Sequence, residues 1–311
     1  MHYTGTIWRP PYEASSLLLE ATAGCTHHRC KFCTLYSDLP FPFRMSPLAD
    51  IESDLQEAQL WWTDPVAMLT ARLQGLPRPA GVRRAFLIGA NPFVLPYRRL
   101  MDIAGLIGQY FPSIQTIGCF ARVTDIALKS DGELASLGRA GYDGLTIGIE
   151  TGDSEALRFM DKGYTAADIV EQCRRLDEAG IHYSFFYLAG ISGAGRGEAG
   201  ARATAAVCNQ LHPALIGVNM LTVYPDSELY REIERGSWTE ESELEKYREI
   251  RTLLAHLTIP TQFAALGASN AFQFQGALPQ DKEALAAALD RILETVGEDD
   301  LRAYRTNLPH L

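Results

Sequence analysis

The sequence predicts an α/β fold, a partial (β/α)6 barrel of the TIM type followed by a C-terminal helical extension. Short apolar segments alternate with helical segments over the first 225 residues, a pattern that implies βα units and a parallel sheet. Two of the helical segments share one grammar. Each opens on a capping box (Ser130 with Glu133, Thr165 with Asp168) and stops at an Ala-Gly pair (Ala140-Gly141, Ala179-Gly180). Six strand-like segments can be placed, and about five to eight such units close a barrel or leave it partly open.

The first strand is expected at Ser16–Thr22, running into the loop Ala23-Gly24-Cys25. Ser46-Pro47 reads as an N-cap serine with proline at the first helical position, opening a helix that reaches Leu60. Residues 61–82 form a breaker-rich insert that supports no assignment. Ala85–Gly89 reads as a buried strand ending in the turn Ala90-Asn91-Pro92, followed by a helix over 97–110 and a strand over 113–120. The two capped helices then alternate with strands at 145–149 and 183–188. A helix over 198–211 leads to a strand over 215–223. Beyond 225 the pattern changes to charged helices over 239–257 and 281–296, flanking a segment rich in small and aromatic residues (262–276). The expected division is a core over 1–225 and a mainly helical cover over 226–311, packed on the open side of the sheet.

Composition narrows the function. A chain of 311 residues with 47% apolar content can bury a core without disulfides or a structural metal, so a metal site would serve function. The net charge of −10 makes nucleic acid an unlikely partner, because phosphate binding rests on clustered Lys and Arg. The N-terminus has no signal-peptide core and no run is long enough to span a bilayer, so the expectation is a cytoplasmic protein with no membrane partner.

Three of the six cysteines crowd into nine positions, Cys25, Cys30 and Cys33, with the spacing C-x4-C-x2-C. Thiolates are the ligands of iron–sulfur clusters, and a cubane normally takes four. Three on one loop leave the fourth iron open to an external ligand, as the open position of a catalytic zinc does. The loop follows the first strand, at the edge of a parallel sheet where ligands bind. One alternative is a single zinc ion completed by His27 or His28. Both histidines also read as solvated loop residues. Cys119, Cys173 and Cys208 read as small core residues.

The sequence from about 16 to 225 resembles the radical S-adenosylmethionine (SAM) superfamily, in its Elp3/MiaB/NifB-type and coproporphyrinogen-oxidase-like branch. The resemblance rests on the Gly24–Cys33 loop, with one residue more than the commonest C-x3-C-x2-C spacing, and on several strand ends. It implies a [4Fe–4S] cluster on Cys25, Cys30 and Cys33, with SAM on the open iron. It further implies roles in cofactor binding for seven residues. Phe32 stands where the family aromatic contacts adenine through its backbone. Gly89 and Asn91 lie in the turn around the methionine amino group, and Glu150 stands at the strand end that binds the ribose hydroxyls. Lys162, twelve residues on, matches the partner of the SAM carboxylate. Gly190 lies where the adenine packs, and Arg122 lies within reach of cofactor or substrate. The implied partners are a low-potential electron donor of flavodoxin or ferredoxin type and a small-molecule substrate. Each reading has a structural counterpart: Glu150 as a surface carboxylate, Lys162 as a solvated lysine, Arg122 in a surface pair. Glu20 reads equally as a substrate-site residue or an ion-pair member. The rival function is a non-catalytic electron-transfer or cluster-delivery protein.

Overall fold

The computed structural model describes residues 1–73 and 81–306. In chain order its elements begin with β1 (Leu17–Glu20), β2 (Thr22–Gly24), β3 (Phe43–Met45), α1 (Leu48–Thr63), α2 (Pro65–Leu73), β4 (Arg84–Ile88) and α3 (Tyr97–Tyr110). Then follow β5 (Thr116–Ala121), α4 (Val123–Ala127), α5 (Asp131–Arg139), β6 (Leu145–Glu150), α6 (Ser154–Phe159), α7 (Ala166–Ala179) and β7 (Tyr183–Ala189). The remainder is α8 (Gly197–Cys208), β8 (Leu215–Met220), α9 (Glu228–Glu234), α10 (Glu243–His256), β9 (Thr261–Ala265), β10 (Phe274–Leu278), α11 (Lys282–Thr295) and α12 (Glu298–Thr306).

Strands β1, β4, β5, β6, β7, β8 and β9 lie side by side in that order and run parallel; β10 adds to β9 antiparallel. This is the predicted partial barrel, extended by two strands. The segment 262–276, marked in the sequence only by small and aromatic residues, supplies both of them. Residues beyond 226 therefore contribute strands as well as helices α9–α12.

Alternation along the strands sorts the side chains. Leu87, Cys119, Ile147, Phe185 and Val218 face the helices and are fully buried in the main core. Cys173 and Cys208 are buried there too, as expected. On the other face lie Phe86, Phe120 and Phe186, with ring centroids 5.3 and 6.3 Å apart in succession. At the N-terminal ends of the strands, Arg84 pairs with buried Glu13 at 2.8 Å and donates to Thr116 and to the carbonyls of Asp143 and Gly144. That fan of bonds closes the end of the barrel opposite the cysteine loop.

Local signals were mostly obeyed. Ser130 and Thr165 cap their helices with both bonds of the capping box. Ser46 does not cap α1; its hydroxyl is directed to Glu20 at 3.4 Å, and α1 starts behind Pro47 without a side-chain cap. The unassigned insert at 61–82 contains the end of α1 and helix α2; its residues 74–80 lie outside the described residues.

If β9 is an integral strand, Phe263→Ala should lower the stability of the whole chain. Phe263 is fully buried, and emptying such a site costs about 3–5 kcal/mol. Urea unfolding should show one transition moved to lower denaturant. A separate minor transition, with the main one unmoved, would contradict the integrated sheet.

Candidate active site

The cysteine loop leaves the short β2–β3 ladder at the C-terminal edge of the sheet. Gly24 makes the exit: its φ is 77°, and a Cβ there would lie 2.2 Å from the Pro42 carbonyl oxygen. That same carbonyl accepts the Cys25 N–H at 2.8 Å. Cys25 and Cys30 are half-buried and Cys33 is exposed. The far side of the loop is pinned by three bonds. Lys31 N–H donates to Met160 O at 3.1 Å, Leu229 N–H donates to Lys31 O at 2.8 Å, and Lys31 Nζ meets Glu232 at 2.6 Å. His27 is not a free solvated side chain: its Nε2 is bonded to the Asp161 carbonyl, and burial lowers its pKa.

The strand ends and the turns beyond them bring three of the expected residues, Glu150, Lys162 and Arg122, to Phe32 on this loop. A register shift in β6 and a positive φ of 62° turn Glu150 out of the regular ladder. Its carboxylate meets Lys162 Nζ at 2.6 Å, and both side chains are largely buried. Lys162 is thus neither solvated nor alone. Burial, the largest single influence, disfavours its charge, but the Glu150 carboxylate together with Tyr164 and Cys30 outweighs that and holds the pKa well above the usual lysine value. The ammonium lies 5.7 Å from the centroids of both Phe32 and Tyr164. Arg122 donates to the Lys162 carbonyl and lies over the Tyr164 ring. Burial raises the Cys30 thiol pKa, while Lys162 and Arg122 oppose the rise.

The other expected residues sit on the flanks. At Gly89 the φ is 128°, and a Cβ would lie 2.1 Å from Thr22 Oγ1, so the end of β4 passes directly against the β1–β2 turn. Asn91 is fully buried and bonded to Thr26 and Asp125. Gly190 donates its N–H to Glu249 of α10 at 2.6 Å. Glu20 faces the N-terminal segment and accepts from Thr4 N–H and Thr4 Oγ1. Sequence reasoning missed Tyr164, Thr26, Asp125 and Glu249. Tyr164, Thr26 and Asp125 lie within three residues of Lys162, Cys25 and Arg122; Glu249 reaches the site from a distant helix.

The donor set suits an iron–sulfur cluster: three soft thiols on one loop, with two cations close enough to offset thiolate charge. Among the described residues, no three His, Cys, Asp or Glu side chains converge as ligands of one metal ion would.

Fold and site together define a barrel-type α/β protein with a thiol-rich centre at the C-terminal edge of its sheet. The family model for the radical SAM superfamily matches residues 19–198, more than half of the chain. The chain belongs to the radical SAM superfamily. It is accordingly an enzyme that uses a [4Fe–4S] cluster and S-adenosylmethionine. Similar solved structures include methylornithine synthase (PylB), at 14% identity and TM-score 0.52, covering 93% of this chain and 85% of that one. Coproporphyrinogen III oxidase (HemN) from Escherichia coli, at 15% identity and TM-score 0.53, covers 77% of this chain and 51% of its own. The radical SAM methyltransferase TsrM from Kitasatospora setae, at 18% identity and TM-score 0.51, covers 71% and 37%. The chain thus spans about half of HemN and little more than a third of TsrM, and these likenesses concern the fold alone. No curated protein matches the sequence. Among the described residues no helix is long and apolar enough to cross a membrane.

The Glu150–Lys162 pair gives a stability test on the protein without cofactors. Lys162→Met leaves the carboxylate buried and unpaired, which costs about 3–5 kcal/mol. Glu150→Leu combined with Lys162→Met should recover most of that loss in thermal unfolding. A single variant as stable as the parent would mean the pair is solvated.

Proposed function

We propose that Cys25, Cys30 and Cys33 hold three irons of the cluster and leave the fourth to the amino and carboxylate groups of SAM. The observation that carries this reading is the three-thiol loop at the C-terminal edge of the parallel sheet, facing a buried Glu–Lys pair. When bound, the cluster and SAM would together supply a reductive cleavage that yields a 5′-deoxyadenosyl radical able to take hydrogen from a small-molecule substrate.

The protein's own residues bind and orient. Lys162 offers its ammonium to the SAM carboxylate, and Arg122 fixes the Lys162 backbone through the carbonyl it bonds. Glu150, held out of the ladder by its strained backbone, accepts from the ribose hydroxyls. The backbone at Gly89 and Phe32 serves the methionine amino group and the adenine, and Gly190 packs the adenine from the end of β7. The run Phe86–Phe120–Phe186 gives an apolar floor that keeps water from the substrate. The electron donor is a low-potential carrier of flavodoxin or ferredoxin type. The rival, an electron-transfer or cluster-delivery protein, would fill the fourth iron with a protein ligand.

Anaerobic reconstitution tests the reading. The wild type should bind about four irons and four sulfides, change its cluster spectrum on adding SAM, and release 5′-deoxyadenosine when reduced. Cys30→Ala should lose the cluster. A cluster indifferent to SAM would favour the rival, and bound zinc without sulfide would sink both.

Lys162→Met in the reconstituted protein should weaken SAM binding by about tenfold or more, the value of one charge-assisted pair. Equilibrium dialysis against SAM checks this. Unchanged affinity would remove Lys162 from the carboxylate site.

A further inference from the structure

Asn91 has no hydrogen-bond donor left for a ligand. An asparagine side chain carries two N–H donors and one acceptor oxygen with two lone pairs. Its Nδ2 donates to Thr26 Oγ1 at 2.8 Å and to Asp125, whose two oxygens both lie at 3.1 Å. Its Oδ1 receives the Thr26 N–H over a long 3.4 Å. The amide is fully buried. The orientation is forced, because a carboxylate only accepts: Nδ2 must face Asp125, which leaves Oδ1 for the Thr26 N–H. Asp125 is itself fixed, accepting the Arg122 N–H at 2.8 Å in the first turn of α4, while Lys129 bonds its carbonyl at 3.2 Å.

We propose that Asn91 is a positioning residue for the cysteine loop, and that its side chain donates no hydrogen bond to SAM. This rests on the reading that the loop carries the cluster. A rigid chain runs from α4 through Asp125 and Asn91 to Thr26, the residue after the first thiol ligand. It fixes the loop at its start, where the spacing has one residue more than the commonest form. It also directs the Thr26 N–H to an amide oxygen. A peptide N–H left free beside a cluster bonds to its sulfurs, and such bonds shift the reduction potential.

The test uses the reconstituted holoprotein without SAM, by EPR-monitored redox titration, with SAM affinity measured in parallel. Asn91→Ala should move the midpoint potential upward and alter the EPR line shape. SAM affinity should stay within about twofold of the wild type. Thr26→Ser, which keeps the hydroxyl and the N–H, should match the wild type. If Asn91→Ala does not fold, Thr26→Val carries the test: it deletes only the hydroxyl acceptor on an exposed residue, and a smaller shift in the same direction is expected. An unmoved potential and line shape, with SAM binding weakened tenfold or more, would overturn the proposal and make Asn91 a cofactor contact. A lower melting temperature with potential and line shape unmoved would overturn it as well, leaving a merely structural role. A wild type that binds no cluster would overturn the cluster reading and this inference together. Failure of the variants alone, on a loaded wild type, would overturn only this inference.

Discussion

A loop that must present three thiols outward cannot satisfy its own backbone. Residues 25–33 form no helix and no ladder, so much of their backbone bonding is supplied by neighbours. Pro42 receives the first ligand's N–H, Met160 receives that of Lys31, and Leu229 donates back to Lys31 O. Asn91 takes the remaining turn at Thr26. These anchors come from four separate stretches of chain. The main sheet brings three of them to one edge, since Met160, Leu229 and Asn91 lie beyond the C-terminal ends of β6, β8 and β4, while Pro42 immediately precedes β3.

The second requirement is charge. The site gathers thiols and carboxylates on a protein that is already acidic, and it keeps its two cations where they oppose that accumulation. Lys162 is buried beside Glu150, and Arg122 donates to the Lys162 carbonyl. Isolated buried charges are expensive, and only pairing makes them tolerable. The positive φ at Glu150 is a local cost of the same arrangement, placed where side-chain direction matters most.

Much of the fold could be read from the sequence because its signals were local. Capping boxes at Ser130 and Thr165, an Ala-Gly stop after each helix, and apolar runs such as 145–149 each speak for themselves. The strands β9 and β10 did not. Thr261–Ala265 contains Gln262 and three small or aromatic residues, and it becomes a strand only because β8 offers an open edge. Helix α9, seven residues long, is too short to show a period. In the site, the cysteines and the Glu150–Lys162 spacing were legible. The partners of Asn91 and Gly190 were not, because Asp125 and Glu249 lie 34 and 59 positions away from them and no local pattern links such pairs.

The bond from Leu229 to the Lys31 carbonyl has a bearing on ancestry. Together with the Lys31–Glu232 pair, it stitches late chain to the earliest loop. A lineage that exchanged its tail for another would also unfasten the thiols. Novelty in such a protein should therefore accumulate by gradual substitution within the late segment, and wholesale replacement by recombination should be selected against.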